Sequence, residues 1–461
     1  MQAQRNGDIS FWYADIGGLP KPRAPLPGDL EVDVAIVGAG YTGLWTAYYL
    51  KQAKPSLRIA ILEREWAGFG ASGRNGGWLS GGFGWSRERY LKTSSRQGVR
   101  DMQQAMAGTV NEVIRVAELE GIDADIWRTG NLTVATNKPQ LDRARQEYAE
   151  IREWDFDPAR IEWLDAAETK RRIDVKNALG AYVVNGQARV QPAKLVQGLA
   201  KAVERLGVAI YEQTAVTDIA PGVVSTARGT VRGETIIRAT EGFTAGIPGE
   251  ERTWLALNSA QIVTEPLSDA LWAKIGWEGR ELLGDTAHTY CYAQRTREGR
   301  ITMGGRGVPY RFGSRTDVNG KTQEATIQSL HAILTRLLPQ AAHLRIDHAW
   351  CGVLGVPRDW CTTVGLDPKT RIGWAGGYVG LGVSSSNLSG RTLTDLVLGQ
   401  DTPLVRLPWV NRRVRPWEPE PFRWMGVHAM YRLYRIADGR EERGLPHSSK
   451  LAAFADRLTG H

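Results

Sequence analysis

The chain has 461 residues, 42% of them apolar and 23% charged, and its 58 Lys and Arg against 50 Asp and Glu leave a formal charge of +8. That length buries a large core and suggests two or three lobes. No apolar run reaches the eighteen or so residues of a membrane-spanning helix, and the opening MQAQRNGDISFWYADIGG lacks the charged and apolar regions of a secretory leader, so a cytoplasmic protein is expected.

The three cysteines, Cys291, Cys351 and Cys361, show no Cys-x-x-Cys spacing, which removes the simplest zinc and thioredoxin-type sites, and no metal is expected. The arginine excess is scattered, thickest after Arg406, and no basic run is interleaved with aromatics on a nucleic-acid module. A basic surface around a polyanionic ligand is expected, and no nucleic-acid partner.

Residues 1–30, rich in Gly, Pro and aromatics, read as an arm laid over a surface and carrying no chemistry. From Asp33 to Glu63 the order is an apolar run, a glycine turn, apolar positions at helical spacing and a second apolar run ending in an acid. This predicts strand, turn, helix and strand. The turn Gly38-Ala39-Gly40-Tyr41-Thr42-Gly43 fits G-x-G-x-x-G: Gly38 permits the sharp bend, Gly40 clears a path for a pyrophosphate, and Gly43 lets helix and sheet close. The helix N-terminus offers free amides to phosphate, and Glu63 sits where a carboxylate accepts from ribose hydroxyls. Arg64 follows it, and then the segment Gly70-Ala71-Ser72-Gly73-Arg74-Asn75-Gly76-Gly77, whose glycines imply backbone approaching something flat or phosphorylated.

The stretch 96–180 opens with helical patterning and contains the alternating NLTVAT; the stretch 246–345 holds HTYCYAQR and GRITMGGRG, which read as a hairpin. Together they predict a sheet roofing a cofactor, with the substrate pocket where the two lobes meet. Ile372 to Ala375 reads as a strand, Gly376 to Gly382 as a turn, and Ser384 onward as a helix. After Arg406, the sequence FRWMGVHAMYRLYRIADGREERG places aromatics and Met at helical spacing. Because Asp438, Glu441 and Glu442 accompany its arginines, packing on the protein's own surface is favoured over weak contact with a membrane surface.

The combination of DVAIVGAGYTG, ILERE and GASGRNGG resembles the D-amino-acid oxidase superfamily of FAD-dependent amine oxidoreductases, most closely its gamma-glutamylputrescine oxidase-like branch. The likeness extends through QPAKL, IIRATEGF, HAWCGVLGVPRDW and RIGWAGGYVGLGVSSS, over roughly residues 10–445. It implies an α/β fold: a discontinuous Rossmann-like FAD domain of the glutathione-reductase type, from 31–95, 181–245 and 346–405. It implies also an α+β substrate domain on an antiparallel sheet, from 96–180 and 246–345, leaving the arm at 1–30 and a basic helical tail at 406–461. Non-covalent FAD is the implied cofactor. The resemblance adds Val216, Ala239 and Thr240 to the residues near it, and also the turn residues Gly377, Gly380, Leu381 and Gly382. The helix after that turn would aim its amides at the N1–C2 edge of a flavin and stabilise the anion formed on reduction.

One nucleotide fold is visible, so electrons are expected from an organic substrate and not from a second dinucleotide. The expected chemistry is oxidation of an amine C–N bond to an imine, hydrolysed to aldehyde or ketone, with O2 reduced to H2O2. A dehydrogenase or N-demethylase using another acceptor and a non-catalytic flavoprotein stay open as alternatives. Burial beside aromatic rings keeps an amine neutral. Tyr290, Tyr292, Tyr378 and Trp78 are candidate walls, and His348 and His288 candidate polar groups. Amino-acid oxidases of the family commonly place a carboxylate-clamping arginine two positions after the glycine that here is Gly352. This chain has Leu354 there, with Arg74 or Arg306 as substitutes. Where sarcosine oxidase-like members carry a lysine above the flavin, the nearest match is Thr302, and covalent attachment through Cys351 is not expected.

Overall fold

The computed structural model of the protein describes residues 3–83, 87–154, 157–305, 310–317, 319–452 and 455. Among them two sheets organise the molecule. The smaller, eight-stranded sheet has at its centre five parallel strands in the order Ile372–Gly376, Gly229–Arg238, Leu30–Val37, Ile59–Leu62, Ala209–Tyr211. Val34, Ile36 and Ile61 pack toward one face and Ala35, Val37 and Leu62 toward the other. Burial on both faces explains why these strands read as unbroken apolar runs and not as alternating ones.

The helix Tyr41–Ala53 covers one face of this sheet, and Gly382–Leu398 lies against it. Their contact is close because Gly390 has no side chain: a Cβ there would stand 2.8 Å from Cβ of Trp45 and 2.9 Å from the Thr46 amide nitrogen. The second helix stops at Gly399, which takes a left-handed conformation (φ 68°) and returns its amide to the last turn.

The ten-stranded sheet is mixed. Its long pairing joins Leu255–Thr264 to Ile346–Val356 antiparallel, and it continues through the hairpin Cys291–Arg295 and Ile301–Gly305 that the sequence predicts. Leu282–Asp285 runs parallel to Trp127–Ala135, and Arg5–Asn6 of the arm parallel to Ile346–Val356, so the sheet is not wholly antiparallel. Gly180–Arg189 and Ile346–Val356, read from sequence on the cofactor side, pair inside this sheet, because their partners, Trp127–Ala135 and Leu255–Thr264, form it. The helix Glu324–Leu337 covers its back through Ile327, Leu330 and Leu334. The tail forms a helix, Phe422–Glu442, which turns Val427, Tyr431, Tyr434 and Ala437 inward and leaves Phe422 and Met425 exposed. No helix among the described residues is long and apolar enough to cross a membrane.

Gly390→Val should force the two helices apart and cost about 1–3 kcal/mol or more. A melting temperature several degrees below that of the native protein, read by circular dichroism, is the expected result; an unchanged value would mean the contact is not tight.

Candidate active site

At the C-terminal ends of the parallel strands a cavity opens toward the ten-stranded sheet, holding about 1230 Å3 of space with its mouth included. Val37 and Leu62, which end two strands, and Ala239, just past a third, lie at its floor. Gly38 turns the chain with φ 106°, where a Cβ would lie 2.6 Å from the Ala239 carbonyl oxygen. At Gly43 a Cβ would lie 2.0 Å from the Gly38 carbonyl oxygen, so this glycine closes helix onto turn and does not line the cavity. Gly40, Tyr41 and Thr42 do line it. The first turn of the helix has no side-chain cap from Gly40, while the Tyr41 amide donates to Ser72 Oγ at 2.9 Å. A Cβ on Gly40 would come within 3.0 Å of Ser72 Oγ and fill the gap between turn and loop. A helix N-terminus that meets only the Ser72 hydroxyl, over a space kept clear of side chain, fits a pyrophosphate.

Glu63 lines the next wall. Its carboxylate accepts from the Ala39 amide at 2.8 Å and the Glu65 amide at 3.1 Å, and the surrounding protein raises its pKa against the pull of those donors. Ala39 is fully buried behind it. The Arg64 guanidinium stands 5.5 Å from the Phe69 ring and 5.0 Å from the Phe243 ring, and Thr214 and Val216 complete this end. Thr240 lies beside Ala239 on the lining.

Of the glycine-rich loop, Gly70, Ala71, Ser72 and Asn75 line the cavity, whereas Arg74, Gly76 and Gly77 do not. Arg74 is fully buried, donates through Nε to the Phe69 carbonyl at 2.7 Å and covers the Phe69 ring; burial pulls its pKa down to about 10. It is an internal strut and not a substrate clamp. Its carbonyl accepts from Gln261 Nε2 (2.7 Å) and Trp350 Nε1 (2.9 Å) of the large sheet. Gly76 and Gly77 exist for the same approach, since Cβ atoms there would stand 2.7 Å from the Tyr292 ring and 2.1 Å from Gln294 Nε2. The flat surface that the loop's later glycines meet is thus the protein's own sheet. The arm secures the loop from outside: Ser10 Oγ donates to the Gly73 carbonyl (2.8 Å) and Trp12 Nε1 to that of Asn75 (2.7 Å).

The closing turn brings Tyr378, Gly380 and Gly382 onto the lining. Tyr378 Oη lies 2.8 Å from Thr42 Oγ1, tying the two glycine turns together, and burial raises its phenol pKa. Leu381 caps the following helix, and Gly377, at φ 71°, stacks on Pro357; neither lines the cavity. Gly377 donates instead to Glu241, a residue the sequence did not single out. One Glu241 oxygen accepts the Gly377 amide at 2.8 Å; the other accepts those of Gly355 and Tyr378, each at 3.3 Å. Protein encloses the carboxylate on every side but the cavity, and that desolvation outweighs the three donors and pushes it up to about 7.

The remaining candidates separate. Tyr290 stands with its hydroxyl 4.0 Å from the position a Cβ would take on Gly380, and with Trp78 and Tyr292 it lines a second, adjacent cavity. His348 does not face either space: its Nε2 sits 2.8 Å from the Gly7 carbonyl, and burial lowers its pKa, so it is a packing residue that anchors the arm. Cys351 Sγ points away as well, 3.4 Å from the Lys321 carbonyl, its thiol pushed up to about 11 by burial. None of the three cysteines lines the first cavity. Leu354 does line it, and Arg64 is the one cationic side chain among the described lining residues. Thr302 is buried opposite Gln294 in the hairpin, His288 lines the second cavity, and Arg306 lies outside the described residues.

With that geometry in hand, comparison with known proteins gives the family. The sequence pattern of the FAD dependent oxidoreductase (DAO) family matches residues 33–396. The chain is 29% identical to gamma-glutamylputrescine oxidoreductase of Escherichia coli over 402 residues, covering 85% of this chain and 89% of that one. It is 26% identical to glycine oxidase of Geobacillus kaustophilus over 392 residues, 80% of this chain and 94% of the other. The crystal structure of that glycine oxidase superposes with a TM-score of 0.68 at 23% identity, over 83% of this chain and 99% of the other. The chain belongs to the DAO family of FAD-dependent oxidoreductases, and FAD is its cofactor.

Because folding raises the Glu241 pKa, its contribution to stability is fully present below the carboxylate's ordinary value of 4.5 and is lost as pH rises through about 7. In protein stripped of FAD, stability should therefore fall by roughly 2 kcal/mol between pH 4.5 and 7.5 relative to the Glu241→Gln variant. Parallel melting curves for the two proteins across that range would refute the assignment.

Proposed function

We propose that the protein oxidises the C–N bond of a small primary or secondary amine, polyamine- or amino-acid-derived, to an imine that water hydrolyses to an aldehyde or ketone, with O2 as electron acceptor. The observation that carries this reading is the junction at Tyr290: the family's cofactor cavity meets an aromatic chamber there, while Leu354 occupies the place of a carboxylate-clamping arginine. The similarity to gamma-glutamylputrescine oxidoreductase supports an amine substrate. The overall change balances as amine, water and O2 giving carbonyl compound, released amine and H2O2: the C–H and N–H bonds yield two electrons and two protons, and O2 takes both pairs.

In this reading the start of Tyr41–Ala53, with Gly40, Thr42 and Ser72, would hold the pyrophosphate. Glu63 would accept from the ribose, Arg64 and Val216 would flank the adenine end, and the turn Gly380 to Gly382 would face the flavin end. Bound FAD supplies the two-electron redox chemistry that side chains cannot. The chain's own contribution is positioning and desolvation: Trp78, Tyr290 and Tyr292 exclude water and disfavour the ammonium form, so that the amine nitrogen keeps its lone pair as the α-carbon loses hydrogen. The helix Gly382–Leu398 presents an N-terminus without a side-chain cap where negative charge develops. A cytoplasmic location fits this chemistry.

Thr302, buried where sarcosine oxidase-like relatives carry a lysine, favours a second reading, a dehydrogenase that passes electrons to another acceptor. Anaerobic mixing of the yellow holoprotein with a panel of primary, secondary and acidic amines should bleach the oxidised flavin with at least one of them, and admission of air should restore the spectrum within seconds. Recovery that takes many minutes would replace the oxidase reading with the dehydrogenase one, and failure of every amine to bleach would end both.

A further inference from the structure

The sequence sets acids and arginines side by side along the tail helix Phe422–Glu442, and folding separates them. Asp438 turns inward and accepts the amides of His288 and Thr289, each at 2.9 Å. Glu441 is buried against Arg143 at 2.7 Å, and Glu442 pairs with Arg336 of the helix Glu324–Leu337 at 3.5 Å. Each of the helix's three acids therefore has its partner within the protein. The arginines go the other way. Arg432, Arg435, Arg440 and, just past the helix, Arg443 are exposed, and none makes an ion pair among the described residues.

The apolar residues on that side do not pack either. Phe422 is 67% exposed, Met425 56% and Ile436 39%. With Ala429, Arg432 and Arg440 they recur at intervals of three or four residues, so they form one outward stripe along the helix. Val427, Tyr431, Tyr434 and Ala437 keep a similar spacing on the inward side and are buried. Packing on the protein's own surface, which the sequence favours, thus accounts for one face of the helix and leaves the other. A further exposed ring stands beside the helix start: the Gly313 amide donates to Glu420 at 3.0 Å, and its neighbour Phe312 is 49% exposed. Single apolar side chains in water are ordinary. A helical row of them among unpaired arginines, with no acid and no neutral polar residue in the row, is not the composition of a solvated face.

We infer that the outward face of the tail helix docks on the surface of an anionic lipid bilayer. Phe422, Met425 and Ile436 enter the headgroup boundary, and the arginines meet lipid phosphate. Arginine stems lie along apolar surface while their heads reach for charge, so both residue types share one stripe in such a boundary. Charge complementarity selects this occupant over a second copy of the chain: the stripe offers no acid, and two such faces would set cation against cation. The helix lies on the bilayer and does not cross it, being neither long nor apolar enough. Its inward Tyr434 lines the second cavity, which docking therefore brings within a helix diameter, about 10 Å, of the headgroups. The contact is independent of which compound the flavin oxidises.

Flotation of the FAD-loaded full chain with lipid vesicles tests the contact. Vesicles of phosphatidylcholine with about one third phosphatidylglycerol should carry the protein at least about tenfold better than phosphatidylcholine alone, and added salt should weaken the binding. Arg432→Gln and Arg440→Gln should each lower the partition coefficient about fivefold, and Phe422→Ser combined with Met425→Ser at least about tenfold. These side chains are exposed, so each variant should keep the native melting temperature. Because the three native cysteines are buried, Met425→Cys lets a polarity-sensitive dye be placed at one position. Its emission should shift to the blue on anionic vesicles, while the same dye carried by Leu119→Cys, exposed on the helix Arg96–Leu119, should not move. Failure of the native protein to float with anionic vesicles, or flotation that the Phe422 and Met425 substitutions leave unchanged, would overturn the contact. If the same substitutions instead dissolve a dimer seen by size exclusion, the face belongs to a second copy and the bilayer assignment falls.

Discussion

Where the parallel sheet gives way to the mixed one, a single carboxylate holds the junction. Glu241 follows the strand Gly229–Arg238 of the small sheet, Gly377 follows its neighbour Ile372–Gly376, and Gly355 belongs to the long strand of the large sheet. Three amides from segments more than a hundred residues away meet on two oxygens. The three amides hold Glu241 in a left-handed conformation, φ 41°, that costs a residue with a side chain about 1–2 kcal/mol. The neighbouring glycines are part of the same device: a Cβ on Gly355 or Gly376 would stand 2.9 or 2.6 Å from the carboxylate.

Glu63 repeats the arrangement at the other end of the cavity, accepting the Ala39 amide of the first turn and the Glu65 amide of its own loop. Two acids around the site of a polyanionic cofactor look electrostatically perverse until their donors are counted. Each accepts backbone amides around the cavity, and neither reaches the helix N-termini beside it. The positive ends of the helix dipoles thereby face the cavity without an acid against them, as an anionic ligand requires.

Local signals carried much of this architecture. The turn Gly38 to Gly43 and the acid Glu63 were legible because each demand, a bend, a clear path, a helix start, falls on consecutive residues. The hairpin Cys291–Arg295 and Ile301–Gly305 was legible from alternation for the same reason. What escaped was set by distant partners. Nothing in ATEGF distinguishes Glu241 from a surface acid, since its donors come from positions 355, 377 and 378. His348 drew notice as an isolated histidine, yet its partner is the carbonyl of Gly7, at the opposite end of the chain. Gly76 and Gly77 suggested a ligand, but the crowding they relieve comes from Tyr292 and Gln294, known only once the sheet is assembled. Tyr182, Thr133, Gly284 and Tyr292, which line the second cavity side by side, likewise come from four separate segments and meet only through strand register.

The family pattern ends at residues 33 and 396, and both flanks lie against the site. The arm before it pins the loop that lines the cofactor cavity, through Ser10 and Trp12. The tail beyond it supplies Tyr434 to the wall of the second cavity, and Asp438 takes the amides of His288 and Thr289. Its Glu441 neutralises Arg143, which would otherwise present a cation to whatever enters. The shared core therefore builds the first cavity, while segments outside it fix its loop on one side and pair the cation of the second cavity on the other. Relatives with the same core and different flanks would then differ in the substrate they admit before they differ in the redox chemistry they perform.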